Sequence, residues 1–231
     1  MRELLLQGPG KNALGIELIR NARRQIAEAA GEPLLVTGAG DAFSAGLNLK
    51  EVLALDESTI EPFIRELDGF FGDLYHYAGP TVALINGHAI AGGCIVSLCC
   101  DHRVSVASPA VKIGINEVVV GVQFPPLALR IVRARVPTAS IHRVMLGGVL
   151  VSPDEALRLG LIDEVSEDAA ALARRRLDEF SAHMPRAYAA TKLELRGRRP
   201  TDAEIDDELR ELLPPWTSEE VKRGIAARLK R

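Results

Sequence analysis

The 231-residue chain is long enough to bury one substantial α/β domain, with or without a smaller appendage. Hydrophobic residues make up 47 % of the sequence and charged residues 26 %, which excludes disorder over most of its length. The formal net charge of −3 gives no overall field that would draw the protein to nucleic acid or to an anionic membrane, so neither partner is expected.

The N-terminal stretch MRELLLQGPG holds only three consecutive leucines, far short of a signal-peptide core or of a membrane span of roughly 20 residues. The three cysteines all lie in one apolar run, at positions 94, 99 and 100, which indicates core residues in a reducing compartment. The histidines are too scattered to predict a metal site. We therefore expect a cytoplasmic protein without a metal.

In chain order, the hydrophobic pattern alternates between the periods of strands and helices. Strands are predicted at residues 4–6, 34–37, 81–85, 101–105 and 111–115. Helices are predicted at residues 14–26, 48–55, 61–77 and 91–100. This alternation favours an α/β fold with layered sheets.

Beyond Pro153 the pattern becomes purely helical. The predicted helices cover residues 153–165, 169–183, 186–196, 203–213 and 218–230, and RGRRPTD at residues 196–202 is the one linker-like stretch. We expect a core over residues 1–180 and a helical C-terminal section over residues 181–231.

Two glycine-rich segments lie just before predicted helices. The first is GAGDAFSAGLNLKEV at residues 38–52, and the second is ALINGHAIAGGCIVSLCCDHRVS at residues 83–105. Glycines permit a close approach of the backbone, and N–H groups at a helix start can stabilise negative charge on a ligand. Taken singly, the first segment is also explained by an ordinary strand-to-helix loop, and the second by tight helix–strand packing that requires glycine.

A third segment, KIGINEVVVGVQFPP at residues 112–126, places Glu117 after a predicted strand in apolar company. Such surroundings disfavour the charged carboxylate and so raise its proton affinity toward the range useful for acid/base chemistry. A solvated or salt-bridged glutamate is the alternative from spacing alone.

In combination, FSAGLNL, NGHAIAGG and GLIDEV resemble the crotonase family, also called the enoyl-CoA hydratase/isomerase superfamily. The resemblance runs from KNAL at residues 11–14 to EALRLGLIDEV at residues 155–165, and more loosely into the C-terminal helices. It implies a spiral of ββα units with a helical C-terminal section, and an acyl-CoA substrate. Coenzyme A would be part of that substrate, and no separate cofactor is expected.

The resemblance implies that two backbone N–H groups, those of Leu47 and Gly92, hold the thioester carbonyl and stabilise the enolate that forms from it. It also assigns contacts to coenzyme A. These contacts are expected at the backbone of Lys11, Asn12 and Ala13 and at Ala42, Phe43 and Ala45. Lys11 could meet a phosphate or be a solvated turn lysine.

Hydratases of this family use two glutamates, and here Ile95 occupies the first position while Glu117 matches the second. A single glutamate suits a Δ3,Δ2-enoyl-CoA isomerase, in which one carboxylate moves a proton from C2 to C4. GINEVVVGVQFPP also resembles that branch, although Asn48 replaces a common family aspartate. Hydration, decarboxylation, thioester hydrolysis and non-catalytic acyl-CoA binding remain alternatives. The resemblance further implies a homotrimer, perhaps paired into a hexamer.

Overall fold

The computed structural model describes residues 1–229, which form two sheets surrounded by helices. The strands are β1 (Arg2–Leu6), β2 (Leu34–Gly38), β3 (Ala42–Ser44), β4 (Thr81–Ile85), β5 (His88–Ile90), β6 (His102–Val106), β7 (Ile113–Gly114), β8 (Leu150–Val151) and β9 (Glu164–Ser166). The helices are α1 (Pro9–Asn12), α2 (Ile16–Ala29), α3 (Leu49–Leu53), α4 (Ile60–Tyr75), α5 (Gly92–Cys99), α6 (Glu117–Val120), α7 (Pro126–Arg135), α8 (Thr138–Met145), α9 (Pro153–Arg158), α10 (Ala169–Ser181), α11 (Pro185–Arg196), α12 (Asp202–Trp216) and α13 (Glu219–Leu229).

The two sheets are built by a repeated ββα path. The first sheet has the parallel order β1-β2-β4-β6-β9, and the second has the order β3-β5-β7-β8, with only the β7–β8 pair antiparallel. Each of β2, β4 and β6 in the first sheet is followed by the next strand of the second sheet, after which the chain becomes helical. The predicted α/β spiral is therefore observed.

Both faces of the first sheet are covered, which explains why its strands β2 and β4 are largely apolar. In β4, Ala83 and Ile85 join the main core, which α2, α4 and α5 share, while Val82 and Leu84 point to the other face. Leu172 and Leu177 of α10 pack on that second face. The period of two along the strand thus divides its side chains between two apolar layers.

The prediction of a purely helical pattern beyond Pro153 is wrong at one place. Residues 164–166 form β9, which pairs in parallel with β6 and completes the first sheet. The helical spacing of PDEALR does predict α9, but the chain turns at Gly160, where φ is +74°. The short strands β3, β5 and β8 and the helices α7 and α8 were also not predicted.

A buried ion cluster fastens the C-terminal helices to the core. Asp101, which follows α5, accepts hydrogen bonds from Lys192 Nζ at 2.8 Å and from Tyr188 Oη at 2.9 Å, and pairs with Arg196. Arg196, the first residue of the predicted linker, is therefore buried and anchored rather than loose. The predicted division at residue 180 stays a prediction. Lys230 of the last predicted helix and Arg231 lie outside the described residues.

No helix within residues 1–229 combines the length and the apolar character needed to cross a membrane.

Candidate active site

The second sheet brings the three predicted chemical segments to one edge. Strands β3, β5 and β7 are parallel neighbours, so their carboxyl ends lie side by side. Leu47 follows β3, Gly92 follows β5 and Glu117 follows β7. All three residues line the same cavity, which has a volume of about 210 Å³. The parallel pairing of these strands thus brings together three residues that are far apart in the sequence.

Backbone hydrogen bonds on both sides of Leu47 fix the first loop at the cavity. Leu14 donates its N–H to Gly46 O at 2.7 Å, and Asn48 donates its N–H to Leu14 O at 3.1 Å. Within residues 1–229, the N–H of Leu47 itself has no backbone acceptor. Asn48, which replaces the family aspartate, accepts from Glu51 N and caps α3.

The second loop turns sharply just before α5. Ala91 has φ 51° and ψ −124°, a conformation that an alanine rarely adopts and that costs on the order of 1–3 kcal/mol. Its own N–H is bonded to Gly114 O, and Gly92 then begins the helix. The Gly92 N–H has no backbone acceptor among the described residues. The conformation of Ala91 thus leaves the Gly92 N–H at the cavity without a backbone acceptor within residues 1–229.

Glu117 follows β7 and is the first residue of the short helix α6, which the sequence did not predict, and its side chain is buried. Desolvation raises the pKa of Glu117 to about 7, although backbone N–H groups of Glu117 and Asn116 oppose this shift. Its Oε2 has no hydrogen-bond partner within residues 1–229. A carboxyl group in this state can take up and release a proton near neutral pH.

The wall that carries the first family glutamate is apolar in this chain. Ile95 of α5 is 2 % exposed and lines the cavity. The neighbouring Cys94 is fully buried, and burial raises the pKa of its thiol to about 12, so it stays protonated and acts as a packing residue. Glu117 is thus the single carboxylate that lines this cavity among the described residues.

The segments expected to contact coenzyme A are joined to each other. Asn12 Nδ2 donates to Ala42 O at 2.8 Å, and Ala45 donates its N–H to Lys11 O at 3.0 Å. Ala45 lines the cavity, whereas Phe43 is completely buried, as is Ala42. The contacts themselves stay predictions.

The structure fits neither interpretation of Lys11 completely, because its side chain is exposed but ion-paired rather than free in solvent. Its Nζ forms an exposed ion pair with Asp41 at 2.5 Å, and its backbone has φ 64°. Such a surface pair contributes little to stability, so the ammonium group can exchange Asp41 for a stronger anion. The phosphate contact is a prediction that this geometry permits.

The sequence did not single out several residues that line the cavity. Trp216 at the end of α12 and Arg228 of α13 close it from the C-terminal section, and Asn116 and Gln123 flank Glu117. Trp216 is the chain's only tryptophan and follows Pro214 and Pro215, where the helix ends. A lone tryptophan at a helix end was the available signal, but it does not identify a cavity.

Comparisons with known proteins identify similar sequences and structures. A family model described as enoyl-CoA hydratase/isomerase matches residues 3–229. Mitochondrial enoyl-CoA delta isomerase 1 of Mus musculus is 29 % identical over 69 % of the chain, and this match spans little more than half, 57 %, of that protein. The (E)-benzylidenesuccinyl-CoA hydratase of Thauera aromatica is 30 % identical over 68 % of the chain and 62 % of its own length.

Among solved structures, an enoyl-CoA hydratase from Bacillus halodurans superimposes with a TM-score of 0.83 at 26 % identity, covering 97 % of this chain and 95 % of its own. The predicted fold class is therefore confirmed. Isomerases and hydratases are both similar to the chain at comparable identity, so the comparisons do not distinguish between the two reactions.

Proposed function

Because the chain belongs to the enoyl-CoA hydratase/isomerase family, we propose that it is a Δ3,Δ2-enoyl-CoA isomerase. The observation that carries this proposal is that the cavity has one buried carboxyl group among residues 1–229, that of Glu117. The apolar Ile95 occupies the position where hydratases of the family have their other glutamate. Water addition benefits from two groups that position and activate the water. Moving a proton within one substrate needs a single group.

In the proposed reaction, the ionised Glu117 takes a proton from C2 of a 3-enoyl thioester. The C2–H electron pair then enters the conjugated system, and negative charge appears on the thioester oxygen. Glu117 returns the proton at C4, so the C3–C4 double bond becomes a C2–C3 double bond and the atoms balance. The largely apolar cavity around Glu117 favours return of the same proton over its loss to solvent.

The N–H groups of Leu47 and Gly92 would stabilise the thioester oxygen in this step. Their donors are fixed by the backbone before the charge forms, so little reorganisation accompanies proton removal. These two N–H groups would stabilise the enolate in any reaction of the family. Isomerisation in particular is supported instead by Glu117 and Ile95. Lys11, Asn12, Ala13, Ala42, Phe43 and Ala45 are proposed to hold the coenzyme A portion.

The test compares purified enzyme on 3-enoyl-CoA and 2-enoyl-CoA of equal chain length. We expect isomerisation of the first to exceed hydration of the second in kcat/KM. Equal or faster hydration would contradict the proposal in favour of a hydratase. Glu117→Gln should lower isomerase kcat by about a hundredfold or more, because it removes the proton carrier while keeping the size of the side chain.

Exchange of α-hydrogens with deuterated solvent separates an enzyme from a non-catalytic binder. A saturated acyl-CoA cannot isomerise, but an active site that forms the enolate can exchange its C2 hydrogens. We expect exchange above background in the native protein and none in Glu117→Gln. Background exchange in both proteins, together with measurable acyl-CoA binding and no isomerisation of 3-enoyl-CoA, would identify a binder without chemistry.

We also propose that the protein assembles as a homotrimer, either alone or paired into a hexamer. Met184, the N-cap of α11, and Leu195, near the end of α11, are 76 % and 80 % exposed. Apolar side chains at this exposure favour burial against another copy. A monomer in sedimentation at micromolar concentration would contradict this assembly.

A further inference from the structure

Three buried side-chain atoms have no hydrogen-bond partner within residues 1–229, and all of them belong to residues that line the same cavity. They are Asn116 Oδ1, Glu117 Oε2 and Trp216 Nε1. A buried polar atom without a partner costs about 1–3 kcal/mol, so such atoms are rare in folded proteins. Their convergence on one cavity indicates that its occupant supplies polar atoms as well as an apolar chain.

Proton transfer accounts for Glu117, but it does not account for Trp216. The indole of Trp216 is 3 % exposed and reaches the cavity from α12, more than ninety positions along the chain from Glu117. The Nε1–H group is a donor only, and it therefore requires an acceptor. The acyl group of a plain 3-enoyl thioester places no acceptor there, since its only oxygen is the thioester oxygen predicted to meet Leu47 and Gly92.

Arg228 adds a second donor group to the lining of the cavity. It lies on α13, and its guanidinium donates to Val119 O at 3.1 Å while also lining the cavity. A single carbonyl acceptor leaves most of the five N–H donors of an arginine available. The C-terminal helices therefore contribute hydrogen-bond donors, whereas the core contributes mainly apolar side chains such as Leu67 and Phe71.

We infer that the acyl group of the substrate carries an oxygen acceptor beyond the reacting carbons, and that Trp216 Nε1–H binds it. This inference rests on the proposed function and narrows its substrate class from alkenoyl thioesters to oxygenated ones. A hydroxyl group could also donate to Asn116 Oδ1, and a carboxylate could also meet Arg228. The shared chemistry is an oxygen that accepts the indole hydrogen bond.

The first test compares 3-enoyl-CoA substrates of equal length that end in a methyl group, a hydroxyl group or a carboxylate, at each of several chain lengths. We expect kcat/KM to favour an oxygenated chain by about tenfold, the effect of one net hydrogen bond of about 1.4 kcal/mol. The hydroxyl and carboxylate arms distinguish the two sources of the acceptor. A methyl-ended substrate that is as good at every length overturns the inference without any variant.

Trp216→Phe is the second test, because it keeps an aromatic ring and removes the N–H donor. The ratio of kcat/KM for the oxygenated chain to kcat/KM for the methyl-ended chain should fall to about one, whatever the change in the absolute values. Phe71→Leu is the matched control, since it changes the volume of the same cavity without changing its donors, and it should affect all substrates alike. An unchanged preference in a folded Trp216→Phe protein overturns the inference.

Binding measurements separate this inference from the proposed reaction. Trp216 is the only tryptophan, so its fluorescence reports occupancy of the cavity directly. Saturated acyl-CoA thioesters with and without the terminal oxygen should bind with Kd values that differ by about tenfold in the native protein. If the preference in Kd holds and 3-enoyl-CoA is not isomerised, the proposed reaction alone is wrong. If isomerisation holds and Kd shows no preference, the inference alone is wrong.

Discussion

Gly46 and Gly92 lie so close together that a side chain on Gly46 would crowd the Gly92 backbone, and they belong to the two loops that carry the predicted oxyanion donors. A Cβ atom added to Gly46 would lie 3.3 Å from the backbone nitrogen of Gly92 and 2.7 Å from Ile90 O. Gly46 also has φ +82°, a region that favours glycine. The spacing of Leu47 and Gly92 in the cavity therefore depends on a position without a side chain.

Gly46→Ala should separate the two donors. The added methyl group must displace Ile90 O, so we expect kcat to fall by roughly a hundredfold, as when one oxyanion donor is lost. Gly31→Ala is the matched control, because Gly31 also has a positive φ of +88° but has no atom within 4 Å of the added Cβ. Steady-state kinetics of both variants, with similar thermal unfolding, would show the effect; equal activity of both would contradict it.

The rate should depend on the ionisation of Glu117. Burial raises the pKa of this carboxyl group to about 7, and only the ionised form can accept the C2 proton. As the pH rises through about 7, the proton leaves and kcat/KM should increase toward a plateau. A profile measured from pH 5.5 to 9 checks this, and a rate that is already maximal at pH 5.5 would place the base elsewhere.

The same pKa predicts that Glu117 reduces stability at high pH. Below about pH 4.5 the group is protonated in both folded and unfolded chains. Between about 4.5 and 7 only the unfolded chain loses the proton, so the free energy of unfolding falls as the pH rises. Glu117→Gln should therefore exceed the native protein in stability by up to about 3 kcal/mol at pH 8, but not at pH 4.

Urea denaturation at both pH values measures this difference. The native protein at pH 4 serves as the reference in which Glu117 is neutral. A Glu117→Gln protein that is less stable than the native one at pH 8 would show that the buried carboxylate is compensated by contacts that the variant loses.

Ile95→Glu should move the chemistry toward hydration. The substitution places a second carboxyl group on the cavity wall, on the same helix α5 that Gly92 begins, where it could hold a water molecule. The ratio of hydration to isomerisation should rise by roughly tenfold or more, at a cost in stability because a polar group is buried. Ile95→Met, which keeps the wall apolar, is the control, and an unchanged ratio in Ile95→Glu would contradict the role given to this position.

Asp101 should be important for stability because its partners are buried. Although desolvation opposes it, Lys192 and Arg196 hold the pKa of Asp101 below its usual value. Asp101→Asn leaves two buried cations without their counter-charge, and we expect it to lower the free energy of unfolding by about 3 kcal/mol. Asp207→Asn, which breaks an exposed pair with Arg210, should cost less than about 0.5 kcal/mol. Equal costs by urea denaturation would contradict the anchoring role.

The sequence by itself determined the local features of this protein. The glycine-rich sequences around Leu47 and Gly92 predict a turn and a helix start from a few neighbouring residues alone. The apolar company of Glu117 likewise indicated a carboxyl group with a raised pKa, since desolvation follows from neighbouring residue types. The main strands and helices were predictable for the same reason.

Tertiary structure alone decided which distant segments meet. Pairing of β3, β5 and β7 brings the three loops to one edge, and β9 is a strand because β6 offers it a free edge, against the helical pattern around it. Trp216 reaches the cavity only through the packing of α12 against α4 and α7. Such contacts join residues far apart in the chain, and burial rather than local backbone preference selects them.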